Sequence, residues 1–377
     1  MRWLFPALAL MVSTAAFAGA DTLFVGGFQN AALARGGSNF LWYRVDRVPP
    51  DAADPVQSCI DARDPYGILA NYHRAGVRNT VRTQLRAMRD AGQQRIATGI
   101  VHLRAPAGQS VDGRYGGTLI DSTGGTLHPR IRDNLVAFLR DVYRAGFSEL
   151  LFRYFPQGDN TPVWWTTFDE SLFQENWQLI RSIEPILQAS GLSYRTDLGV
   201  EGMPRAWFVE ALGQYYIDDN RPDNPAWSEY ARRIWRNYVA EFDYRRSVGF
   251  SFVSDSDPVR TRARVRHLRY IYMLADGSVR YPPLFAIDIY GGGTTDERTI
   301  FERHHHAMAD LGRNEPWIVA ESYFNDAVAA AGLSSAMATT GRQVRYFLQW
   351  PLDRGIDDCG VNVAPPNAYE AWLRRGF

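Results

Sequence analysis

The chain has 377 residues with 41 basic and 41 acidic side chains, and 13 % of it is aromatic, including 11 Trp. Balanced charge gives no sign of the clustered basic surface that a nucleic-acid partner needs, and points to a neutral ligand. Past residue 20 every apolar run is broken by Arg, Asp or Glu within about a dozen residues, which excludes a spanning helix of roughly 20 residues in the mature chain.

In chain order, the first segment, MRWLFPALALMVSTAAFAGA, carries an early Arg2, an apolar stretch from Trp3 to Val12, and small residues at Ala16, Ala18 and Ala20. That order predicts a secretory signal peptide over residues 1–20, export to a bacterial periplasm or the extracellular space, and a single mature domain of residues 21–377. From about residue 40 onward, short β-branched or aromatic runs alternate with longer amphipathic stretches, the pattern of parallel strands joined by crossover helices. The predicted strands are Phe40–Val45, Arg95–Leu103, Glu149–Phe155, Tyr194–Glu201, Val248–Asp255, Leu284–Tyr290, Trp317–Tyr323 and Arg345–Trp350. Helical patterns follow them around Thr80–Ala91, Pro129–Ala145, Ser171–Ala189, Pro225–Arg245, Pro258–Leu274, Glu297–Leu311, Ala327–Thr340 and Ala368–Arg375. Pro at the first turn of three helices and Gly ahead of several strands supply start and stop signals in the right order.

Eight such units predict a single (β/α)8 barrel of the TIM type. The competing open, doubly wound sheet commonly carries a Gly-rich phosphate turn after its first strand, and none occurs here. Three long insertions, Pro49–Gly76, Ala105–Leu127 and Pro156–Asp169, fall after strands one, two and three, on the face where barrel active sites are built. Cys59 lies in the first of these loops and Cys359 after strand eight, and those strands are neighbours in a closed barrel. A disulfide between them is therefore expected in an oxidising compartment, with two separate buried thiols as the alternative.

Period-two alternation places Asp197, Gly199 and Glu201 on one face of strand four, and Trp317, Val319 and Glu321 on one face of strand seven. A carboxylate at the mouth of a packed barrel is costly to desolvate unless it is paired or functional, and here two sit on strands that face each other across the mouth. Cleaving a glycosidic bond needs such a pair: one carboxyl to protonate the leaving oxygen, another to attack or stabilise the oxocarbenium-like centre. His102 and Arg104 at the end of strand two, and Arg153 on strand three, are candidates to orient a carboxylate or a sugar hydroxyl. Asp288 either tunes a catalytic pKa or pairs with a buried Arg. Trp164 and Trp165, with Asp159 and Asn160, either floor a sugar subsite or staple their loop to the barrel. The run His304–His306 falls in a helical pattern, where consecutive side chains point about 100° apart and cannot converge on one metal ion. No GxSxG elbow, CxxC pair, HExxH or Walker loop occurs in the chain.

The segments LGVEGMP, IDIYGG, WIVAESYF and YFLQWPL resemble clan A of the glycoside hydrolases, barrels with an acid/base glutamate ending strand four and a nucleophile glutamate ending strand seven. The resemblance implies Glu201 as acid/base and Glu321 as nucleophile, Tyr290 as a hydrogen-bond donor to the nucleophile, and Trp350 as a sugar-stacking platform. It further implies a retaining O-glycosyl hydrolase that acts on a polysaccharide or oligosaccharide without a cofactor. One position departs from the clan pattern: Val200 stands where members usually carry an Asn that holds the sugar 2-hydroxyl. Two other readings remain beside it: a carbohydrate-binding barrel without catalysis, supported by Val200, and a hydrolase or lyase of another class using the same pocket.

Overall fold

The computed structural model describes residues 34–42, 67–113, 118–204, 207–209, 214–216, 225–253, 255, 257–292, 294–351, 354 and 366–377. Residues 1–20, Cys59 and Cys359 lie outside them, and with them the expected leader and disulfide.

Eight parallel strands form the barrel: β1 Gly37–Asn39, β2 Arg95–Leu103, β3 Glu149–Pro156, β4 Tyr194–Asp197, β5 in two pieces Ser247–Gly249 and Phe252–Val253, β6 Phe285–Asp288, β7 Trp317–Glu321 and β8 Val344–Gln349. Each strand pairs with its neighbour in sequence, and β8 returns to β1 through Gly37 opposite Leu348. The ring closes through β5, whose first piece pairs with β4 and whose second pairs with β6. Gly249 lies at the break: its φ is +71°, and a Cβ there would lie 2.2 Å from the hydroxyl of buried Tyr272, which favours glycine.

Alternation sorts the side chains into two layers. Ala97, Leu151, Val248, Ala286, Ile318, Ala320, Tyr346 and Leu348 point into the barrel. The intervening Ile96, Ile100, Leu150, Phe152, Phe285, Ile287, Val319 and Phe347 pack against the helices. The N-terminal floor is polar. Buried Glu149 accepts from Arg195 Nε at 2.8 Å and Tyr346 Oη at 3.1 Å. Helices start with aspartate caps: Asp169, Asp257, Asp296 and Asp326 each accept from first-turn backbone N–H groups, at about 1 kcal/mol apiece.

The observed elements differ from the sequence reading at identifiable places. Strand one lies at Gly37–Asn39, ahead of the predicted Phe40–Val45, because the Gly–Gly–Ser–Asn run has no large apolar side chain to mark it as a strand. A Cβ on Gly37 would sit 1.8 Å from the Arg95 carbonyl oxygen, so this close strand approach requires glycine. Strand four stops at Asp197, four residues short of the predicted end, and the chain turns with Gly202 N–H donating to Gly199 O at 2.9 Å. The long loops carry structure of their own: Leu119–Asp121 adds a short parallel strand to β2, and two 3-10 turns, Gly158–Asn160 and Pro162–Trp164, follow β3. A hairpin of Trp207–Val209 with Gln214–Tyr216 after β4 was not anticipated.

Between the sheet and its helices lies one costly acid. Glu184 is fully buried and accepts from Tyr194 Oη at 3.0 Å and Tyr238 Oη at 2.9 Å. Burial pushes its carboxyl up to about 7 against the pull of those two donors. A folded-state value above the unfolded one means stability that is full below about pH 4.5 and is lost as pH rises through about 7. The loss amounts to roughly 3 kcal/mol. Glu184→Gln, which copies the neutral acid, is therefore expected to match the native protein in urea denaturation at pH 4.5 and to exceed its stability at pH 8.5.

Candidate active site

The site is built around one side chain. Arg153 projects inward from β3, in register with Gly99 of β2 and Asp197 of β4, and is 0 % exposed. Gly99 makes room beside it, since a Cβ there would fall 2.2 Å from the Arg153 carbonyl oxygen and 2.9 Å from the Phe155 ring. A guanidinium without water must satisfy its donors from the protein. Arg153 donates Nε to Asp197 Oδ2 at 3.0 Å, Nη2 to both oxygens of Asp288 at 3.1 Å, and Nη1 to Asn39 Oδ1 at 3.1 Å and to Glu321 Oε1. Asn39 is fixed in turn by donating to the carbonyls of Ala320 at 2.8 Å and Gln349 at 3.2 Å.

Glu321 enters this cluster by a route that simple alternation misses. Ile318 and Ala320 face the barrel interior while Trp317 and Val319 face the helices, so the predicted shared face of Trp317, Val319 and Glu321 is not what forms. The β6–β7 register passes from Ile287 opposite Val319 to Asp288 opposite Glu321, leaving Ala320 as the extra residue of a β-bulge. The bulge re-aims Glu321 inward beside Ala320. Its second oxygen, Oε2, accepts from Tyr290 Oη at 2.8 Å.

Glu201 lies in the turn after β4 at φ +48°. Among the described residues only Asn325 is the other non-glycine with positive φ. Such a conformation costs about 1–3 kcal/mol and persists only where surroundings enforce it. Here the Glu201 N–H donates to Ser251 Oγ at 2.8 Å, and Val200 N–H donates to Tyr154 O at 3.0 Å. The partly exposed Glu201 carboxyl is near enough to raise the pKa of both Glu321 and Asp288.

The electrostatics follow from four acids and one base. Burial works against the charge on Arg153, but attraction from Asp288, Glu321 and Asp197 outweighs it and holds the guanidinium more firmly protonated than usual. Burial raises Glu321 above the ordinary carboxylate range, with Arg153 and Tyr290 opposing and Glu201 adding to the rise. Asp288 is pushed well up by burial and by Glu321, and Asp197 is raised by burial against the pull of Arg153.

At the mouth, Trp350 meets Trp42 edge-on at 5.4 Å and Phe155 at 6.1 Å, and the Phe155 ring also packs on Arg153 at 5.6 Å. Phe155 on β3 and the residues following β1 and β8 thus contribute one aromatic wall.

The structure brings Arg153, Asp288, Tyr290, Glu201 and Glu321 together and puts Trp350 at the rim. It does not bring the other sequence candidates to them. His102 is in register with Pro156, on the opposite strand face from Arg153. It is buried against Ser122 Oγ at 2.9 Å, and burial lowers its pKa to about 3. Buried Asn160 bonds Glu175, Asn176 and the Arg104 backbone, and Arg104 pairs with Glu175 at 3.0 Å. Trp165 is buried against Phe168 and Tyr230 and donates Nε1 to the Asp159 carbonyl at 2.7 Å, so Asp159, Asn160 and Trp165 staple the loop. Trp164, 71 % exposed, is the member of that group presented to solvent. Sequence reasoning missed Asn39, Ser251, Trp42 and Phe155 as parts of the site. The inward parity of Phe155 with Arg153 was the available signal, while Asn39 and Ser251 flank irregular strands and gave none.

No family model matches the chain, and no curated protein matches it. Among solved structures the chain is similar to the exo-beta-1,4-mannosidase Op5Man5 from Opitutaceae bacterium strain TAV5, at 13 % identity and a TM-score of 0.45, over 84 % of this chain and 57 % of that one. It is also similar to an endo-1,4-beta-mannanase from Rhizomucor miehei, at 11 % and 0.43 over 78 % and 91 % of the two chains. The third is the endo-beta-1,4-glucanase Xac0029 from Xanthomonas axonopodis pv. citri, at 10 % and 0.45 over 90 % and 99 %. The chain thus spans 57 % of the length of the mannosidase. The barrel described above rests on its own strand pairing and not on these likenesses.

Removing the guanidinium leaves three buried carboxylates without their cation. Arg153→Met is expected to cost about 3–5 kcal/mol, read as a fall in the urea midpoint at unchanged slope.

Proposed function

We propose that the chain is a retaining glycoside hydrolase of the clan A type, with Glu321 as nucleophile and Glu201 as general acid/base. The observation that carries this reading is the treatment of Glu321, whose two oxygens are oriented by different donors, Arg153 and Tyr290, while the Glu201 carboxyl interacts with it from the turn after β4. A nucleophilic carboxylate must be held in one orientation at the sugar's anomeric carbon, and hydrogen bonds to both oxygens do that. A Glu321 oxygen then forms a bond to that carbon as the glycosidic C–O bond breaks, and the departing oxygen takes its proton from Glu201. Glu201, now a carboxylate, removes a proton from water. The water attacks the glycosyl–Glu321 ester and frees the carboxylate with net retention.

The aromatic wall of Trp42, Phe155 and Trp350 suits the apolar C–H faces of a neutral sugar, in keeping with the balanced charge of the chain. The chemistry requires no cofactor. Export through residues 1–20 belongs to the same proposal and would put the activity on a polysaccharide or oligosaccharide outside the cytoplasm.

A second reading, a carbohydrate-binding barrel without turnover, draws on two observations: Val200 at the usual 2-hydroxyl position, and the Arg153 pairing of Glu321, which withdraws electron density from the nucleophile.

Glu201→Gln and Glu321→Gln each are expected to lower kcat by about 10²–10⁴-fold while leaving the circular dichroism spectrum unchanged. Reducing-sugar release from a panel of neutral oligosaccharides supplies the rate, and proton NMR of the first product supplies its anomeric configuration. Inversion of configuration would remove the covalent step. Sugar binding without turnover, retained in Glu321→Gln, would favour the second reading.

A further inference from the structure

Asp288 and Glu321 are cross-strand partners on β6 and β7, brought opposite each other by the bulge at Ala320. Like charges directly opposite in a sheet repel, and here no solvent separates them: Asp288 is 0 % and Glu321 6 % exposed. Counting the third acid on the same guanidinium, Asp197, the cluster holds one positive and three negative formal charges, a surplus of two negatives in a dry site. Taking up a proton costs less than burying that surplus.

The hydrogen bonds say which acid takes it. Asp197 accepts from Arg153 Nε at 3.0 Å and from the backbone N–H groups of Ser251 at 3.0 Å and Gly199 at 3.3 Å, a set that suits an anion. Glu321 accepts from Arg153 on one oxygen and from Tyr290 on the other. Among the described residues Asp288 accepts only from Arg153 Nη2, which its two oxygens share at 3.1 Å. It is the least compensated of the three.

We infer that Asp288 is held as a neutral carboxylic acid and acts as a positioning residue, leaving the Nη1 donor of Arg153 to orient an ionised Glu321. The groups facing it are Arg153 from β3, Asp197 and Glu201 from β4 and its turn, Tyr290 from just past the end of its own strand and Glu321 from β7. From β1, β2 and the break in β5 the same cluster receives Asn39, Gly99 and Ser251, none of them ionisable. The upward shift of Asp288, led by burial and then by Glu321, agrees in direction. As pH rises and Asp288 loses its proton, a second anion competes for Arg153 and loosens its hold on Glu321.

The role in orienting a nucleophile rests on the glycosidase reading, whereas the protonation state does not, and the test separates them. Infrared spectra of the full chain, unlabelled and with 13C-aspartate, need neither substrate nor turnover. The expected result is a neutral-acid carbonyl band at pH 6 that shifts on aspartate labelling, persists in Asp197→Asn and vanishes in Asp288→Asn. In rate measurements, Asp288→Asn lowers kcat/KM by up to about tenfold, and its alkaline limb moves up by about one pH unit. An absent aspartate band in the native protein, a band that survives Asp288→Asn, or an unmoved alkaline limb would each overturn the inference. A protein that shows the band yet cleaves no sugar would instead overturn the glycosidase reading.

Discussion

A single buried cation organises the interior of this barrel. Arg153 has no exposed surface, so each of its donors must find a protein acceptor, and it takes Asn39 from β1, Asp197 from β4, Ser251 from β5, Asp288 from β6 and Glu321 from β7. Six of the eight strands, its own included, meet at one guanidinium. The hydrophobic layer below, Ala97, Leu151, Val248, Ala286, Ile318, Tyr346 and Leu348, fills the barrel but is indifferent to which strand neighbours which. A fork of fixed N–H directions is not, and it gives the polar upper layer a defined arrangement.

Three irregularities of the strands serve that arrangement. Gly99 removes a side chain where Arg153 crosses β2, Gly249 lies at the break in β5 from which Ser251 reaches the cluster, and the bulge at Ala320 turns Glu321 inward. Each costs regular pairing or backbone freedom, and each lies within the upper layer, where function is read out, and not in the packed floor. The left-handed Glu201 belongs to the same pattern. Its backbone is pinned to Ser251, which also contacts Arg153, so the positions of both glutamates trace back to the same hub.

Much of this was legible from sequence because the signals are periodic. Runs such as ELLFRYFP and FAID announce strands as short apolar and aromatic stretches, and a lone Arg or Asp within such a run, as at Arg153 and Asp288, marks a charge that orients or pairs with another group. What failed was everything that depends on a departure from period two. Alternation put Trp317 and Val319 on the face of Glu321, and only the cross-strand register reveals the bulge. His102 illustrates the parity error in the other direction, a polar residue near a strand end that faces the helices. In the loop after β3, composition suggested a sugar floor, yet Asn160 is spent on Glu175 and Asn176 and Trp165 on the Asp159 carbonyl. Polar and aromatic residues that staple a loop have the same composition as ones that bind a ligand, and only their contacts tell them apart.

The claim on which the functional account turns is that Glu321, oriented by Arg153 and Tyr290, bonds covalently to the sugar. The most direct measurement is to treat the full-length protein with activated 2-deoxy-2-fluoro glycosides, which slow the second step, and to map any adduct by peptide mass spectrometry. A glycosyl adduct on the peptide containing Glu321, absent in Glu321→Gln, is the result the account predicts. Turnover of the parent glycosides without any adduct, or an adduct on a different carboxylate, would contradict it.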